Sequence, residues 1–315
     1  MINISPTVRI GVLRGGPSHQ YNASLKTGAN VLRHLSETHR PVDIFISKDE
    51  KWHINGIERS PERILKNIDV VFNALHNISG EENNIQTLLD SHGVSHTGSD
   101  KVASAMAMNR WITKERARLI GIKTPVSVLV RRSDSLVTKA KEAFDSLPHP
   151  LVIKPAHGGS DVAWYKADSF DELLTALENI LFFSDSAVVE EYISGKFASC
   201  GVTNNFRSKE SYAFPPVEFV SPDEARCPGN FTDKEKKEIE RVAELIHNKL
   251  GLKNYSSSDF VVSPRRGVYL LEVNTIPQLH DKSFLPKSLE AVGVEVKEFI
   301  HHLLHLTIFK TGIMP

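Results

Sequence analysis

The opening of the chain fixes the class of fold. Arg9–Leu13 is a short apolar run that meets Gly15-Gly16, and a stretch of helical character follows over Ser24–Leu35. Strand, glycine turn and helix in that order begin an α/β unit. A second β-branched run, Asp69–Leu75, repeats the start, and a helix carrying Ile85, Leu88 and Leu89 follows it. Gly93-Val94-Ser95 then leads into a short strand before Thr97-Gly98-Ser99. Alternating strands and helices imply a parallel sheet, whose ligands gather at the carboxyl ends of its strands.

Farther along, Ser104–Leu119 reads as one Ala- and Met-rich helix, stopped by Gly121 and Pro125. Strand-like Val126–Val130, a helix near Val137–Asp145 and the strand Leu151–Lys154 come next. The last of these breaks at Pro155, before a loop of His157, Gly158, Gly159 and Ser160. Ser169 opens a helix to Leu181, with Asp171 and Glu172 in the first turn, where the helix dipole favours acids. Ala187–Ile193, Ala198–Asn204 and Ala213–Phe219 read as strands, and Asp233–Leu250 as a helix. The 315 residues are enough for three units, expected at 1–100, 101–186 and 187–315.

Charge narrows the partners. Lys+Arg and Asp+Glu are both 38, which argues against a nucleic-acid binder with its basic stripe. No apolar run is long enough to span a bilayer, and the first residues do not read as a signal peptide. The 2 cysteines, Cys200 and Cys227, fit reduced thiols in a cytoplasm. His301, His302 and His305 read as a solvated face of a C-terminal helix.

The most informative segment for chemistry is Asp259–Asn274, which reads as two strands around a turn at Pro264–Gly267. Glu272 and Asn274 are two apart and share a face, and the turn length sets Asp259 opposite Glu272. Two carboxylates and an amide on one face make a hard-oxygen site suited to Mg²⁺ and a nucleotide's phosphates. The polar outer face of a hairpin is the competing reading. Lys154, at a strand end beside a glycine loop, has the charge and place to neutralise phosphate, although a surface strand terminus is the plainer reading. Neither GxxxxGK[ST] nor GxGxxG is present, so the P-loop and dinucleotide fingerprints are excluded.

Five segments then occur in a shared order and spacing: RIGVLRGGPSHQYNASLKTG, DVVFNALHNISGEENNIQTLLDSHGVSHTGS, LVIKPAHGGSDV, VVEEYISG and LLEVNTIPQLHDKS. By them the chain resembles the D-alanine–D-alanine ligases from Arg9 to about Leu304. The resemblance implies an ATP-grasp fold: an N-terminal parallel-sheet α/β domain, then central and C-terminal α+β domains that grip ATP between them. It implies Asp259, Glu272 and Asn274 as ligands of Mg²⁺, or of Mn²⁺ in its place. Lys154 and Arg110 would contact the ATP, Ser160 belongs to the loop closing over the phosphates, and Glu190 sits in the strand that meets the adenine. His76 and Glu81 resemble the element beside the first substrate, and Ser283 the serine that contacts the second substrate's carboxylate. The family's ADP-forming ligation serves peptidoglycan precursor synthesis: ATP phosphorylates one amino acid's carboxylate, and a second amino acid's amine attacks the acyl phosphate. A homodimer through the N-terminal domain is also what the resemblance implies.

Several residues depart from the family pattern. Ser257 stands where the family has an arginine that steadies phosphate and oxyanion, and Gln278 where it has an oxyanion-hole glycine. At 278 a backbone that glycine reaches more easily is expected. Gln20 replaces the glutamate that receives the first substrate's amine, and a neutral amide holds an ammonium less well. Phe197 occupies the place of the ribose-binding glutamate. The segment Glu218–Gly229 is shorter than the family's lid loop and lacks its tyrosine and lysine, which would leave an acyl phosphate open to water. Three readings therefore stand: the family's ligation, ligation of a different acid and amine, or a nucleotide-binding protein that no longer ligates.

Overall fold

The computed structural model describes residues 4–76, 82–158, 164–221 and 224–309. The first unit runs β1 (Ile10–Gly15), α1 (Tyr21–Leu35), β2 (Val42–Ile46), β3 (Trp52–Ile54), β4 (Ile57–Glu58), α2 (Pro61–Leu65), β5 (Val70–Asn73), α3 (Glu82–Ser91) and β6 (Ser95–His96). Its strands form one sheet ordered β4-β3-β2-β1-β5-β6, parallel from β2 to β6 and closed on the other edge by the antiparallel β3 and β4. β2, β3 and β4 were not legible as strands; they are short, and only β2 contributes fully buried side chains (Ile44 and Ile46).

The middle of the chain runs α4 (Lys101–Met108), α5 (Arg110–Arg118), β7 (Ser127–Arg131), α6 (Leu136–Ser146), β8 (Leu151–Pro155), β9 (Tyr165–Ala167), α7 (Phe170–Phe183) and β10 (Ser186–Glu191). Where one helix was expected over Ser104–Leu119 there are two, and Asn109 is the cause. Its backbone leaves the helical region (φ −94°, ψ 104°), and its side chain accepts the Ile112 N–H at 3.0 Å. A residue that caps one helix must end the one before it. The four strands of this part form an antiparallel sheet ordered β7-β10-β8-β9. α7 starts on a full capping box between Ser169 and Glu172.

The last part runs β11 (Lys196–Phe206), β12 (Lys209–Ala213), β13 (Val217–Ser221), β14 (Glu224–Arg226), α8 (Asp233–Lys249), β15 (Tyr255–Ser263), β16 (Gly267–Asn274), α9 (Phe284–Ala291) and α10 (Val296–Phe309). Its antiparallel sheet is ordered β14-β13-β11-β15-β16, with β12 also paired to β11. One face, through Ala198, Cys200, Phe260, Val262 and Leu270, packs on α8. The other face borders the cleft through Phe197, Asp259 and Val261 and joins the first sheet's core through Tyr255.

The cores divide unevenly. The central sheet has one of its own, around Ile153, Leu173, Leu177 and Val189. The first sheet has a core of its own on one face, around Leu13, Ile44, Ile46 and Val71, and shares the other with the last part: Ile10, Val31 and Phe72 pack in one cluster with Tyr255, Leu279, Leu285 and Phe299. His302 of α10 is buried, with Nε2 at 2.9 Å from the Asn204 carbonyl, so the three C-terminal histidines are not one solvated face. Burial of α10 on two sides is what the sequence pattern missed. Both cysteines are free thiols, and Cys200 is buried.

Candidate active site

A cleft of about 570 Å³ lies between the central sheet and the last sheet. Charge is concentrated along one stretch of it. Lys154 is the last residue but one of β8, and Glu190 lies on the neighbouring β10, two registers away on the same face. The lysine reaches the carboxylate at 3.0 Å, and Lys114 of α5 reaches the same carboxylate at 2.7 Å. Burial alone would raise the Glu190 carboxyl, but the two ammonium groups outweigh it and hold the pKa down to about 2. Burial lowers the pKa of the Lys114 ammonium, with Glu190 opposing. The geometry decides for an ion pair, since 2.7 Å between two groups that water barely reaches leaves little room for a neutral state.

Arg110 opens α5, immediately after the Asn109 cap. It contacts Glu272 at 3.1 Å through Nε and through a terminal nitrogen, and its other terminal nitrogen donates to the Pro155 carbonyl at 2.9 Å. One guanidinium thus joins the end of β8 to β16 across the cleft. Its burial, 4% exposed, makes the pairing obligatory.

Asp259 and Glu272 are direct partners across β15 and β16, as the hairpin reading required. The ladder slips at this point: Phe260 pairs with Leu270, so Leu271 is an extra residue on β16. That bulge turns Leu271 and Glu272 both toward the cleft while Leu270 and Val273 stay in the α8 core. Asn274, paired with Ser257, completes the row, and its side-chain oxygen accepts the Ile276 N–H at 3.1 Å. Among the described residues no group of three or more His, Cys, Asp or Glu is placed to hold a metal alone. Two carboxylates and an amide oxygen fit Mg²⁺ all the same, because that ion keeps several waters and takes phosphate oxygens as ligands.

The residues expected at the substrate end are more enclosed. His76 is fully buried; Nδ1 donates to the Ile276 carbonyl at 3.0 Å and Nε2 accepts from the Thr27 hydroxyl at 2.9 Å. Burial pulls its pKa down to about 4, so the ring is neutral and braces the loop after β16. Ser283 holds the N-cap position of α9, and its one hydroxyl proton is shared between the carbonyls of Gln278 (2.8 Å) and His280 (2.6 Å). Gln278 does not have the positive φ expected for a glycine substitute; its side chain meets His280 at 2.9 Å. Gln20 is buried before α1, and Ser257 is buried between Gly201 and Asn274. No basic side chain hydrogen-bonds Ser257 among the described residues. Ser160 and Glu81 lie outside the described residues.

Sequence reasoning missed Lys114, Glu191 and Arg266. Lys114 is four residues after Arg110, a spacing that sets both on one helix face. Glu191 accepts the Val126 N–H at 3.0 Å and a two-pronged contact from Arg266 at 2.6 and 3.0 Å, which ties β10 to the β15–β16 turn. The short lid segment forms a wall of the cleft. β13 and β14 make a hairpin held on α9 by Lys287, which donates to the Ala225 carbonyl at 2.8 Å, and by Phe219 edge-on to Phe284. Phe219, Val220 and Ser221 line the cleft.

The model of the family described as "D-ala D-ala ligase C-terminus" matches residues 117–305. A D-alanine–D-alanine ligase from Paraburkholderia phymatum is 31% identical over 95% of this chain and 96% of its own length. The chain belongs to the D-alanine–D-alanine ligase family. Among solved structures, the D-alanine–D-alanine ligase of Coxiella burnetii superposes with a TM-score of 0.87 at 23% identity, over 98% of this chain and 95% of that one. A D-Ala:D-Ser ligase from Enterococcus faecalis superposes with a TM-score of 0.84 at 24% identity, over 95% of this chain and 99% of that one. The fold is ATP-grasp, as in these family members. Among the described residues no helix is long and apolar enough to cross a membrane.

Proposed function

We propose that this protein is an ATP-dependent, ADP-forming ligase that joins the carboxylate of one amino acid to the amine of another through an acyl phosphate, as in D-alanyl-D-alanine formation. One observation carries the reading: Lys154, Arg110, Asp259 and Glu272 line a single stretch of the inter-sheet cleft, with Lys114 and Glu190 locking it from behind. A bound Mg²⁺ would be held by Asp259, Glu272 and Asn274 and would neutralise phosphate charge. Lys154 adds a second positive charge from the facing sheet, and Arg110 fixes Glu272. Glu190, at the end of the strand that edges the same cleft with Tyr192 and Ile193 beyond it, is proposed beside the base. His76 and Ser283 brace the 276–283 loop beside the reacting groups. On resemblance alone, Glu81 is proposed beside the first substrate and Ser160 in the loop that closes over the phosphates.

Ser257 supports a second reading. It is buried with no cation on it, and Gln20 and Gln278 add no charge, so the pocket favours a different acid and amine or binds nucleotide without ligating. We place three units in the chain, with the second boundary beyond β10 rather than at 187, because β10 pairs inside the central sheet. A homodimer and a cytoplasmic location follow the family, and sedimentation and fractionation check them.

The experiment is phosphate release from ATP with D-alanine, then with a panel of amino and hydroxy acids. The expected result is amino-acid-dependent turnover that Glu272→Ala abolishes. Tight nucleotide binding with no turnover on any acid would sink ligation and leave the non-ligating reading.

A further inference from the structure

The cleft face of the last sheet changes character from one row of residues to the next. In one row Ser199 stands opposite Asp259, and Asp259 opposite Glu272. Two residues away on the same face, Phe197 stands between Val261 and Phe219. At about 3.3 Å per residue the rows are roughly 7 Å apart, the scale that separates a nucleotide's inner phosphates from its sugar. A nucleotide whose phosphates meet Asp259 and Glu272 therefore lays its sugar against the Phe197 row.

That row is hydrocarbon. Phe197 is 46% exposed and Phe219 38%, and both line the cleft. The nearby charged groups are committed elsewhere. Lys196 donates to the Asn230 carbonyl at 2.6 Å, Glu218 accepts the Asn230 N–H at 2.8 Å, and Glu191 is taken by Val126 and Arg266. Ser221 is two residues beyond Phe219 and farther from the acidic row. Among the described residues, those of this row that line the cleft carry no charged side chain toward a sugar hydroxyl.

We propose that Phe197 makes this nucleotide site indifferent to the sugar hydroxyls, so that 2′-deoxy and 3′-deoxy adenine nucleotides bind as well as the ribonucleotide. The inference rests on the nucleotide-binding reading above. Phosphate charge and contact of the base and sugar ring with apolar walls supply the affinity, and an unmet hydroxyl that stays in water contributes nothing to discrimination.

The test is calorimetric titration of the whole chain, with Mg²⁺ present, by ADP, 2′-deoxy-ADP and 3′-deoxy-ADP. Dissociation constants within about threefold of one another are expected. Phe197→Glu, which restores a charged acceptor at a half-exposed site, is expected to favour ADP over both deoxy forms by roughly tenfold. A wild-type preference for ADP of about tenfold or more overturns the inference while leaving the nucleotide site intact. A folded Phe197→Glu protein that stays indifferent overturns the assignment to Phe197. No saturable binding of any of the three nucleotides removes the nucleotide reading itself.

Discussion

The two halves of the proposed site are built on opposite plans. At the nucleotide end, charges are buried and cross-paired: Lys114 and Lys154 on Glu190, Arg110 on Glu272. Where acyl transfer is proposed, the corresponding places hold neutral groups, Ser257, Gln20 and Gln278, and the hydrogen bonds seen there bind the protein to itself. The contrast teaches that gripping a nucleotide and steering an acyl transfer are separable jobs. The first needs a rigid charge lattice made by strand pairing; the second needs a few charges aimed at empty space.

The largest effect is expected from breaking the charged end. Glu190→Ala leaves two ammonium groups facing each other and should lower unfolding stability by about 3–5 kcal/mol in urea. A loss below about 1 kcal/mol would show that the lattice is not what holds this end together. The same group predicts acid behaviour. Its folded pKa, about 2, lies below the ordinary 4.5, so its stabilisation is complete above 4.5 and disappears as pH falls toward 2. Glu190→Gln should flatten that part of the stability–pH curve.

The neutral end is tested by adding charge. Ser257→Arg is expected to raise D-alanine-dependent phosphate release by about 10²-fold, with nucleotide affinity unchanged. A folded variant with no gain would mean that the missing arginine is not what separates the two ends. Next in size, Arg266→Ala uncovers a Glu191 side chain that is 1% exposed, while the arginine itself is 45% exposed. A loss of about 1–2 kcal/mol is expected, with a rise in the KM for ATP larger than any fall in kcat. Equal changes in both would argue that Arg266 does not position the nucleotide. Smallest, Ser169→Ala removes the α7 cap and should lower the unfolding free energy by about 1 kcal/mol without altering nucleotide binding. A change in binding there would tie the central sheet's far side to the cleft.

Much of this was legible in the sequence because strand periodicity is strict. Asp259 opposite Glu272 follows from a turn length and a two-residue period, and the ladder has that pairing. The Leu271 bulge does not follow, since an extra residue in a strand has no signature when its neighbours are apolar. Asn109 was readable as a cap but is hidden inside an Ala- and Met-rich run that suggests an unbroken helix. Lys114 was missed for a physical reason: a helical lysine is ordinarily solvated, and burial against Glu190 depends on a sheet contributed from elsewhere. Gln278 was misread in its backbone because the expectation was carried over from a glycine. The core shared by the first and last parts was beyond reach, since no local pattern reports which two units pack together.

That shared core has a mechanical meaning. Phe72 and Phe299 belong to one packed cluster, and His76, Thr27 and Asn30 hold the 276–279 loop, so the first and last sheets behave as a single block. The central sheet, with its own core, is tethered to that block through α5, which packs on the last sheet and sends Arg110 to the Pro155 carbonyl and Lys114 to Glu190, and through Arg266–Glu191. A chain with three sheets is therefore a machine of two bodies, and its compliance is concentrated where a nucleotide would lie.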